Sequence, residues 1–266
     1  MSAIAARPDG QVGMLVKRWR ERRRRSQLDV SLAADLSAKH LSYIETGRSN
    51  PSRQMIERIC DELDVPLRER NRIYLAAGFA PAHSERPFTD LGAAEAAVRA
   101  VLAGMEPNPA VAVNVRWDLW ATNRAMQPFL GDLPTELAGP PVNMLRVTLH
   151  PDGLAPRIRN LQQWRAHALR RVRRQLERTA DDGLADLLVE LEGYEDVLPA
   201  AADGIADDLV VPLRLSTSYG DLAFLYAATV FGSPRDVTLD EIAIETFFPA
   251  DATTARILRS LTTPPA

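Results

Sequence analysis

The sequence predicts a two-part protein, in which a head of five helices precedes an α+β domain with an antiparallel sheet. In the first part, apolar residues recur at helical spacing and Ser or Pro residues mark the helix starts. In the second part, residues 208–216, 222–231 and 242–248 are rich in apolar, β-branched and aromatic residues typical of strands. We therefore predict a head at residues 12–80, a polar, proline-containing linker at 81–90 and a second domain at 91–266.

The head is organised around residues 26–51, which are predicted to form two short helices joined by a tight turn. Ser26 and Ser37 are suited to cap the starts of these helices, and Asp29 would complete a capping box with Ser26. Asp35 stands in the turn, where Asp tolerates the left-handed backbone that such turns often need. The spacing therefore indicates a rigid helical hairpin.

The second helix of this hairpin has one buried face and one exposed face. Leu41 and Ile44 are the predicted buried pair. The opposite face carries Ala38, Lys39, Ser42 and Tyr43. A short helix with such a face, backed by a partner helix, fits the major groove of DNA. Periodicity alone leaves an ordinary helical hairpin as the alternative.

The hairpin resembles the Xre family of helix-turn-helix proteins, which includes phage repressors and Cro. The resemblance is carried by Gln27, Leu36-Ser37, the run from Leu41 to Glu45, Gly47 and Pro51. It implies that Gln27 binds a backbone phosphate and that Ala38, Lys39 and Tyr43 face base edges. Two positions depart from the family pattern, with Asp35 in place of the usual Gly and Ser31 in place of the usual Ala. Both substitutes are small or tolerant of turns, so the predicted fold is unaffected.

Charge is distributed unevenly along a chain whose overall net charge is −3. Residues 1–53 hold 11 Lys and Arg against 5 Asp and Glu, a net charge of +6, and the other 213 residues hold 21 against 30, a net charge of −9. This asymmetry favours a DNA-binding head, although chance clustering of arginine is the alternative because Lys17 and Lys39 are the only lysines. The predicted DNA-binding residues are Arg24, Arg25, Ser26, Gln27, Ser37, Ala38, Lys39, Ser42, Tyr43 and Arg48.

Several classes of protein are disfavoured by what the sequence lacks. It contains no apolar run of 18 residues and no signal-peptide pattern, so we expect a cytoplasmic protein with no membrane partner. No lysine follows Lys39, and the glycine-rich phosphate loops and the GxSxG nucleophile motif are absent. The four histidines lack metal-ligand spacing, and the only cysteine, Cys60, lies on an apolar helix face. We therefore expect neither an enzyme nor a metal or other cofactor.

The opening of the second domain is predicted to contain strands at residues 110–115 and 116–121, then a helix that starts at Asn123 and ends near Gly131. This order is similar to the opening of PAS-type sensor domains. A long helix over residues 157–178 follows, with an arginine-rich face that we interpret as solvated. The helices of this domain are expected to pack on one side of the sheet.

Residues 108–125, 143–169 and 230–251 resemble the ligand-binding domain of MmyB-like transcription regulators, and the runs HPDGLAPRI and FFPAD are specific in combination. The resemblance implies an Xre-type head coupled to a PAS-like domain that binds a small apolar molecule such as a fatty acid. The candidate ligand-binding residues are Trp117, Trp120, Asn123, His150, Arg157, Trp164, Phe224, Tyr226 and Phe247. For each aromatic residue taken alone, a place in the core is the alternative.

These observations together predict a transcription regulator in which a small-molecule effector controls a DNA-binding head. We expect a homodimer on a double-stranded DNA operator, whose half-sites lie about 34–36 Å apart, so that a small change in the spacing of two heads prevents simultaneous docking. Two alternatives remain open. The second domain serves only dimerisation, or it is an enzyme under a DNA-binding head.

Overall fold

A computed structural model describes residues 11–131, 133–194 and 210–262 of the chain. These residues divide into two compact units. The first unit contains the described residues up to Glu85 together with Glu177–Thr179 and Pro234–Asp240, and the second contains the rest. Residues 11–85 are called the head and the described residues of the second unit are called the body. The predicted strand at residues 208–216 and the end of the predicted second domain lie partly outside the described residues.

The head contains the five predicted helices. They are α1 (Gln11–Arg22), α2 (Gln27–Ala33), α3 (Ala38–Glu45), α4 (Arg53–Glu62) and α5 (Leu67–Ala76). The Ser26 hydroxyl accepts a hydrogen bond from the Asp29 backbone N–H, and the Asp29 carboxylate accepts one from the Ser26 N–H. The Ser37 hydroxyl likewise accepts from the N–H of His40. Both predicted caps are confirmed, as is the left-handed backbone of Asp35, whose φ is 54°.

The core of the head is formed by side chains from all five helices. Helix α2 contributes Val30, and the largest fully buried side chains are Trp19, Leu41, Ile44, Ile56, Ile59, Leu63 and Ile73. Cys60 is also fully buried, and this burial raises the pKa of its thiol to about 12. The Asn71 side chain, on α5, forms hydrogen bonds with the backbone of Ala82 and His83 beyond the helix. These bonds fix the first part of the predicted linker to the helices of the head.

Helix α1 approaches the end of α3 so closely that only glycine fits at the contact. A Cβ atom added to Gly13 would lie 2.2 Å from the carbonyl oxygen of Ile44 and 2.8 Å from that of Glu45. Backbone atoms cannot move aside as a flexible side chain can, so any larger residue would separate the two helices.

We expect Gly13→Ala to destabilise the head by about 1–3 kcal/mol, the usual cost of overpacking a tight contact. Hydrogen–deuterium exchange of head peptides would measure this loss separately from the body. Gly104→Ala is the matched control, because a Cβ at that helical position meets no atom within 4 Å. If head peptides of the Gly13 variant exchange at wild-type rates, the contact does not constrain the fold.

The chain after residue 85 contributes one sheet and further helices. The helices are α6 (Ala93–Gly104), α7 (Gln127–Leu130), α8 (Thr135–Ala138), α9 (Met144–Leu149), α10 (Leu161–Thr179), α11 (Asp182–Glu192), α12 (Val237–Asp240) and α13 (Ala252–Thr262). Of these, α12 belongs to the first unit and packs against α5. The strands are β1 (Ala110–Val113), β2 (Leu119–Thr122), β3 (Leu213–Thr217), β4 (Gly220–Val230) and β5 (Ala243–Pro249). Short 3-10 turns lie at Phe88–Asp90, Arg124–Met126 and Ala155–Arg157.

The sheet is antiparallel throughout, as predicted, with the strand order β2-β1-β5-β4-β3. The predicted hairpin joins β3 and β4, where Thr217 pairs with Gly220. Central strand β5 lies between β1 and β4, so a side chain of β5 is flanked on the same face by residues of both neighbours. Glu245 and Phe247 are two residues apart on β5, so they lie on the same face of the sheet. Tyr226 of β4 lies on this face too, because it is the cross-strand partner of Phe247.

Two local predictions were wrong. The predicted strand at residues 116–121 begins only at Leu119, because the Asn114 side chain accepts hydrogen bonds from the N–H groups of Arg116 and Asp118 and closes a turn. Trp117 lies in this turn, with a φ of 64°.

Helices also cover both sides of the sheet at β1, whereas the sequence predicted helices on one side. All four residues of β1 are buried. Val111 and Val113 belong to the large core of the body, whereas α6 packs against β1 and β2 and buries its own Val98 and Leu102. The apolar run of β1 fits a strand that is buried on both faces.

Candidate DNA interface and ligand site

The exposed face of α3 carries the predicted base-reading residues. Leu41 and Ile44 are fully buried, as the hairpin pattern predicts. Lys39 is exposed, and Ala38, Ser42 and Tyr43 are partly exposed on the same helix. The short helix therefore presents small, polar and cationic groups on the side away from its core.

The Tyr43 ring contacts two cations, one on α3 and one just after it. The ammonium nitrogen of Lys39 is 5.7 Å from the centre of the Tyr43 ring, and the guanidinium carbon of Arg48 is 5.8 Å from it. Such contacts orient a ring and its cations together. We call Lys39, Tyr43 and Arg48 the basic strip. Cations suit phosphate contacts or the guanine edge in the major groove, and the phenol hydroxyl can donate or accept a hydrogen bond.

A buried carboxylate fixes the end of α3 to the two preceding helices. Arg20 of α1 binds Glu45 through two nitrogens, at 2.7 Å to Oε1 and 2.9 Å to Oε2. Gln27 of α2 donates its amide Nε2 to Glu45 Oε2 at 2.8 Å. This hydrogen bonding raises the pKa of Arg20. Gln27, predicted as a phosphate contact, is thus held in place by Glu45.

Two of the three arginines between α1 and α2 form contacts within the head. Arg23 donates to the backbone carbonyls of Leu63 and Asp64 just after α4, at 2.8 and 2.6 Å. Arg25 forms an ion pair of 2.7 Å with Glu62. Arg24 is exposed and has a left-handed backbone. Of these two predicted DNA-binding residues, Arg24 thus points outward, whereas Arg25 also stabilises the fold.

We expect Glu45→Gln to destabilise the head by about 3–5 kcal/mol, the cost of removing one partner from a buried ion pair. Glu21→Gln is the matched control, because the Glu21 side chain is exposed and surface substitutions change stability by about 0.5 kcal/mol or less. Hydrogen–deuterium exchange of head peptides measures both variants. Equal exchange in the two variants would contradict an anchoring role for Glu45.

The body gathers most of the predicted ligand-binding aromatics into one row. Trp164 stacks on His167 with ring centres 5.5 Å apart, and His167 meets Tyr226 edge to face at 6.5 Å. The row continues from Tyr226 to Phe247 at 6.0 Å, and from Phe247 to Phe224 at 6.2 Å. We call these five side chains the aromatic row. It runs from α10 across β4 and β5.

Trp120 is separate from this row. Its ring lies 5.2 Å from that of Phe88, in the 3-10 turn before α6.

A polar centre lies beside the aromatic row. The Glu245 Oε1 atom accepts hydrogen bonds from Trp117 Nε1 at 2.7 Å, from Arg171 Nη2 at 2.6 Å and from the Tyr226 hydroxyl at 3.0 Å. The Arg171 guanidinium also lies 4.0 Å from the centre of the Tyr226 ring. Burial and the charge of Glu245 raise the pKa of Tyr226, so its hydroxyl stays protonated at neutral pH. Trp117, a predicted ligand contact, therefore donates its indole N–H to Glu245 within the fold.

Sequence reasoning missed Glu245, His167 and Arg171, and it read the arginines of α10 as a solvated face. For Arg171 this is wrong, because its side chain is only 19% exposed and pairs with the buried Glu245. The signal was available in the helical spacing. His167 and Arg171 follow Trp164 by three and seven residues, which places all three on one side of a helix.

The three predicted polar contacts to a ligand form hydrogen bonds within the body. Asn123 accepts from the N–H of Ala110 and donates to the carbonyl of Asn108. His150 Nδ1 accepts from the N–H of Asp152.

Arg157 Nε donates to the carbonyl of Ser216 at 3.2 Å. Asn123, His150 and Arg157 therefore serve turns and strand ends in this structure.

Two nitrogen atoms in the aromatic row are buried without a hydrogen-bond partner, Nε1 of Trp164 and Nε2 of His167. Burial, followed by the nearby charge of Arg171, lowers the pKa of His167, so its ring is neutral at pH 7. Buried polar groups are nearly always paired in folded proteins, and these two nitrogens share the exception with Oγ1 of Thr246 and Oε2 of Glu106 in the body.

Residues 11–131, 133–194 and 210–262 contain neither a candidate metal site nor a candidate membrane span. No group of three or more His, Cys, Asp or Glu side chains in these ranges could hold a metal ion. None of the described helices is both long and apolar enough to cross a membrane.

Comparison with known protein families assigns both parts of the chain. Residues 94–261 match the family described as the MmyB-like transcription regulator ligand binding domain. Residues 11–73 match a helix-turn-helix domain family. No curated protein matches the chain.

Proposed function

Since the chain belongs to the MmyB-like transcription regulators, we propose that a small apolar, fatty-acid-like effector bound by the body controls the affinity of the head for an operator. The single observation that carries this proposal is the presence, in one chain, of an exposed recognition face on α3 and a row of aromatic rings in a ligand-binding domain. The effector would act by binding one arrangement of the protein more tightly than another, which shifts the population between them.

Operator recognition is supported by the chemistry and rigidity of α3. The basic strip offers cations and a hydroxyl, which are suited to base edges and phosphates in the major groove. The Arg20–Glu45–Gln27 cluster holds the helix in place, so little order has to be gained when DNA binds. Bases are best read by side chains held on such a rigid element.

An apolar effector is supported by the composition of the aromatic row. Phe224 is buried, and Tyr226 and Phe247 pack against the large core of the body. Small-molecule sites are mostly apolar and aromatic, with a few polar groups that orient the ligand. The row offers such a lining, with two unpaired nitrogens within it and the Glu245 cluster beside it.

The proposal includes a homodimer and a cytoplasmic location. One eight-residue helix makes few base contacts, and two copies on half-sites one DNA turn apart would multiply them. The cytoplasmic location follows from the proposed DNA target. Binding alone would perform this function, without a catalytic step, a metal or another cofactor.

We expect Lys39→Ala to weaken operator binding about tenfold, because one good base or phosphate contact contributes about 1–3 kcal/mol. Lys17→Ala is the matched control, since Lys17 is the only other lysine and its exposed side chain pairs with Glu21 on α1. Electrophoretic mobility shift on the native operator, identified by genome-wide binding, measures both variants. Equal affinities would argue against α3 as the reading helix.

We expect gently purified protein to carry a small apolar molecule, visible as added mass in native mass spectrometry. Removing that molecule, or adding a saturated fatty acid, should shift the melting temperature, because a ligand that binds only the folded state stabilises it. Operator affinity should change with it. If no endogenous or added amphiphile alters either quantity, a body that serves only dimerisation becomes the better explanation.

A further inference from the structure

Strand β4 continues well beyond its pairing with β3. It pairs with β5 from Phe224 to Val230, whereas β3 pairs with it only from Gly220 to Phe224. On the side of β3, residues 225–230 therefore have no neighbouring strand among the described residues. We call this side of residues 225–230 the open edge. Backbone groups at such an edge can pair with a strand of another chain.

The register shows which backbone groups the open edge offers. The Ala223 carbonyl accepts a hydrogen bond from the N–H of Ala250, which follows β5, so the backbone groups of Ala223 point toward β5. Successive residues of an antiparallel strand point these groups to opposite sides. Tyr226, Ala228 and Val230 therefore point their N–H and C=O groups toward the open edge. Within the part of the chain that the structure describes, these groups have no backbone partner.

The other edges of the sheet are covered. Ile158 forms a bridge to Leu215 on the outer side of β3. At the opposite end of the sheet, β2 has only four residues, and its Leu119 N–H donates to the carbonyl of Val142. No described residue covers the open edge in this way.

The open edge also lacks the features that usually prevent pairing between chains. Natural edge strands are protected by charged side chains, proline or bulges. Residues 222–232 contain no Asp, Glu, Lys, Arg or Pro, and β4 pairs with β5 without a register shift. Val230 is 66% exposed, Leu225 is 40% exposed and its cross-strand partner Phe248 is 36% exposed. This apolar, regular strand is suited to pair with another strand.

A second copy of the chain fits the open edge, because the edge is compatible with itself. An uncharged strand meets its own copy without like-charge repulsion, and it offers no charge that would attract a basic or acidic partner. Antiparallel pairing of a strand with its own copy has two-fold symmetry, the commonest symmetry of homo-oligomers. The same symmetry suits the paired half-sites of the proposed operator.

We propose that two copies of the chain form the homodimer by antiparallel pairing of their open edges, which joins the two sheets into one. With the two-fold axis beside Ala228, the backbone of Ala228 pairs with Ala228 of the second copy, and that of Tyr226 with Val230 of the second copy. This inference rests on the homodimer of the proposed function and adds the surface through which the copies meet.

The dissociation constant of the full-length dimer tests this surface. Ala228→Lys should weaken dimerisation about tenfold or more, because it places two like charges directly opposite each other at the axis. Val230→Lys should weaken it as well, and it serves as a second variant if the first does not fold. Ala96→Lys is the matched control, since it adds the same charge at an exposed position of α6. Analytical ultracentrifugation measures all three variants and the wild type.

Disulfide cross-linking tests the register. Cys60 is the only cysteine and is fully buried, so an introduced surface cysteine is the one accessible thiol. Cα atoms of a directly opposed, hydrogen-bonded pair lie about 5.5 Å apart, which a disulfide can bridge. Ala228→Cys should therefore form a covalent dimer under mild oxidation. Thr229→Cys is the control, because its two copies would lie diagonally, about 7–8 Å apart, and should cross-link much more slowly.

The outcomes separate this inference from the proposed function. If the wild type is dimeric and both lysine variants of the open edge are equally dimeric, the copies meet elsewhere, so the inference fails and the homodimer remains. Rapid cross-linking of Thr229→Cys but not of Ala228→Cys would overturn the proposed axis. If the wild type is monomeric even on its operator, the inference and the homodimer both fail, and another partner covers the open edge. Control by an effector would still be decided by native mass spectrometry and operator affinity.

Discussion

One buried carboxylate, that of Glu45, ties together the three helices on which DNA recognition depends. Arg20 reaches it from α1 and Gln27 from α2, so the end of α3 is fixed from both sides. An isolated helix of eight residues is unstable in water, so α3 owes its existence to such tertiary contacts. Gly13 supports the same contact. Because it has no side chain, α1 lies close enough to α3 for Arg20 to reach Glu45.

In the body, Glu245 has a similar role. Its carboxylate, on β5, accepts hydrogen bonds from a turn, from helix α10 and from strand β4. Charges removed from water are stable only when their hydrogen bonds are satisfied, so each donor has a fixed position relative to the sheet. The aromatic row is held in place by the same hydrogen bonds, because Tyr226 is a member of the row and also donates to Glu245. The stack of Trp164 and His167 departs from this pattern, because one buried nitrogen of each side chain has no hydrogen-bond partner.

Local chemistry made much of the fold predictable from sequence, and distant pairing made the rest unpredictable. The caps at Ser26 and Ser37 and the turn at Asp35 depend on residues three or fewer positions away, and all were foreseen. Arg171 and Glu245 are 74 positions apart, so neither could be recognised as half of a buried pair. The same holds for Asn123, whose backbone partners come from a strand and a turn that only folding brings near. The exposed face of α3 needed no such pairing, which is why the candidate DNA interface was the more predictable of the two sites.

The burial of Cys60 has a consequence for the conditions in which the head can work. It is the only thiol in the chain, it is fully buried, and its pKa of about 12 leaves almost no thiolate at neutral pH. Oxidants and disulfides react with the thiolate and require access to it. The Cys60 thiol of the folded head is therefore protected from peroxide and from disulfide exchange, so it does not act as a redox switch.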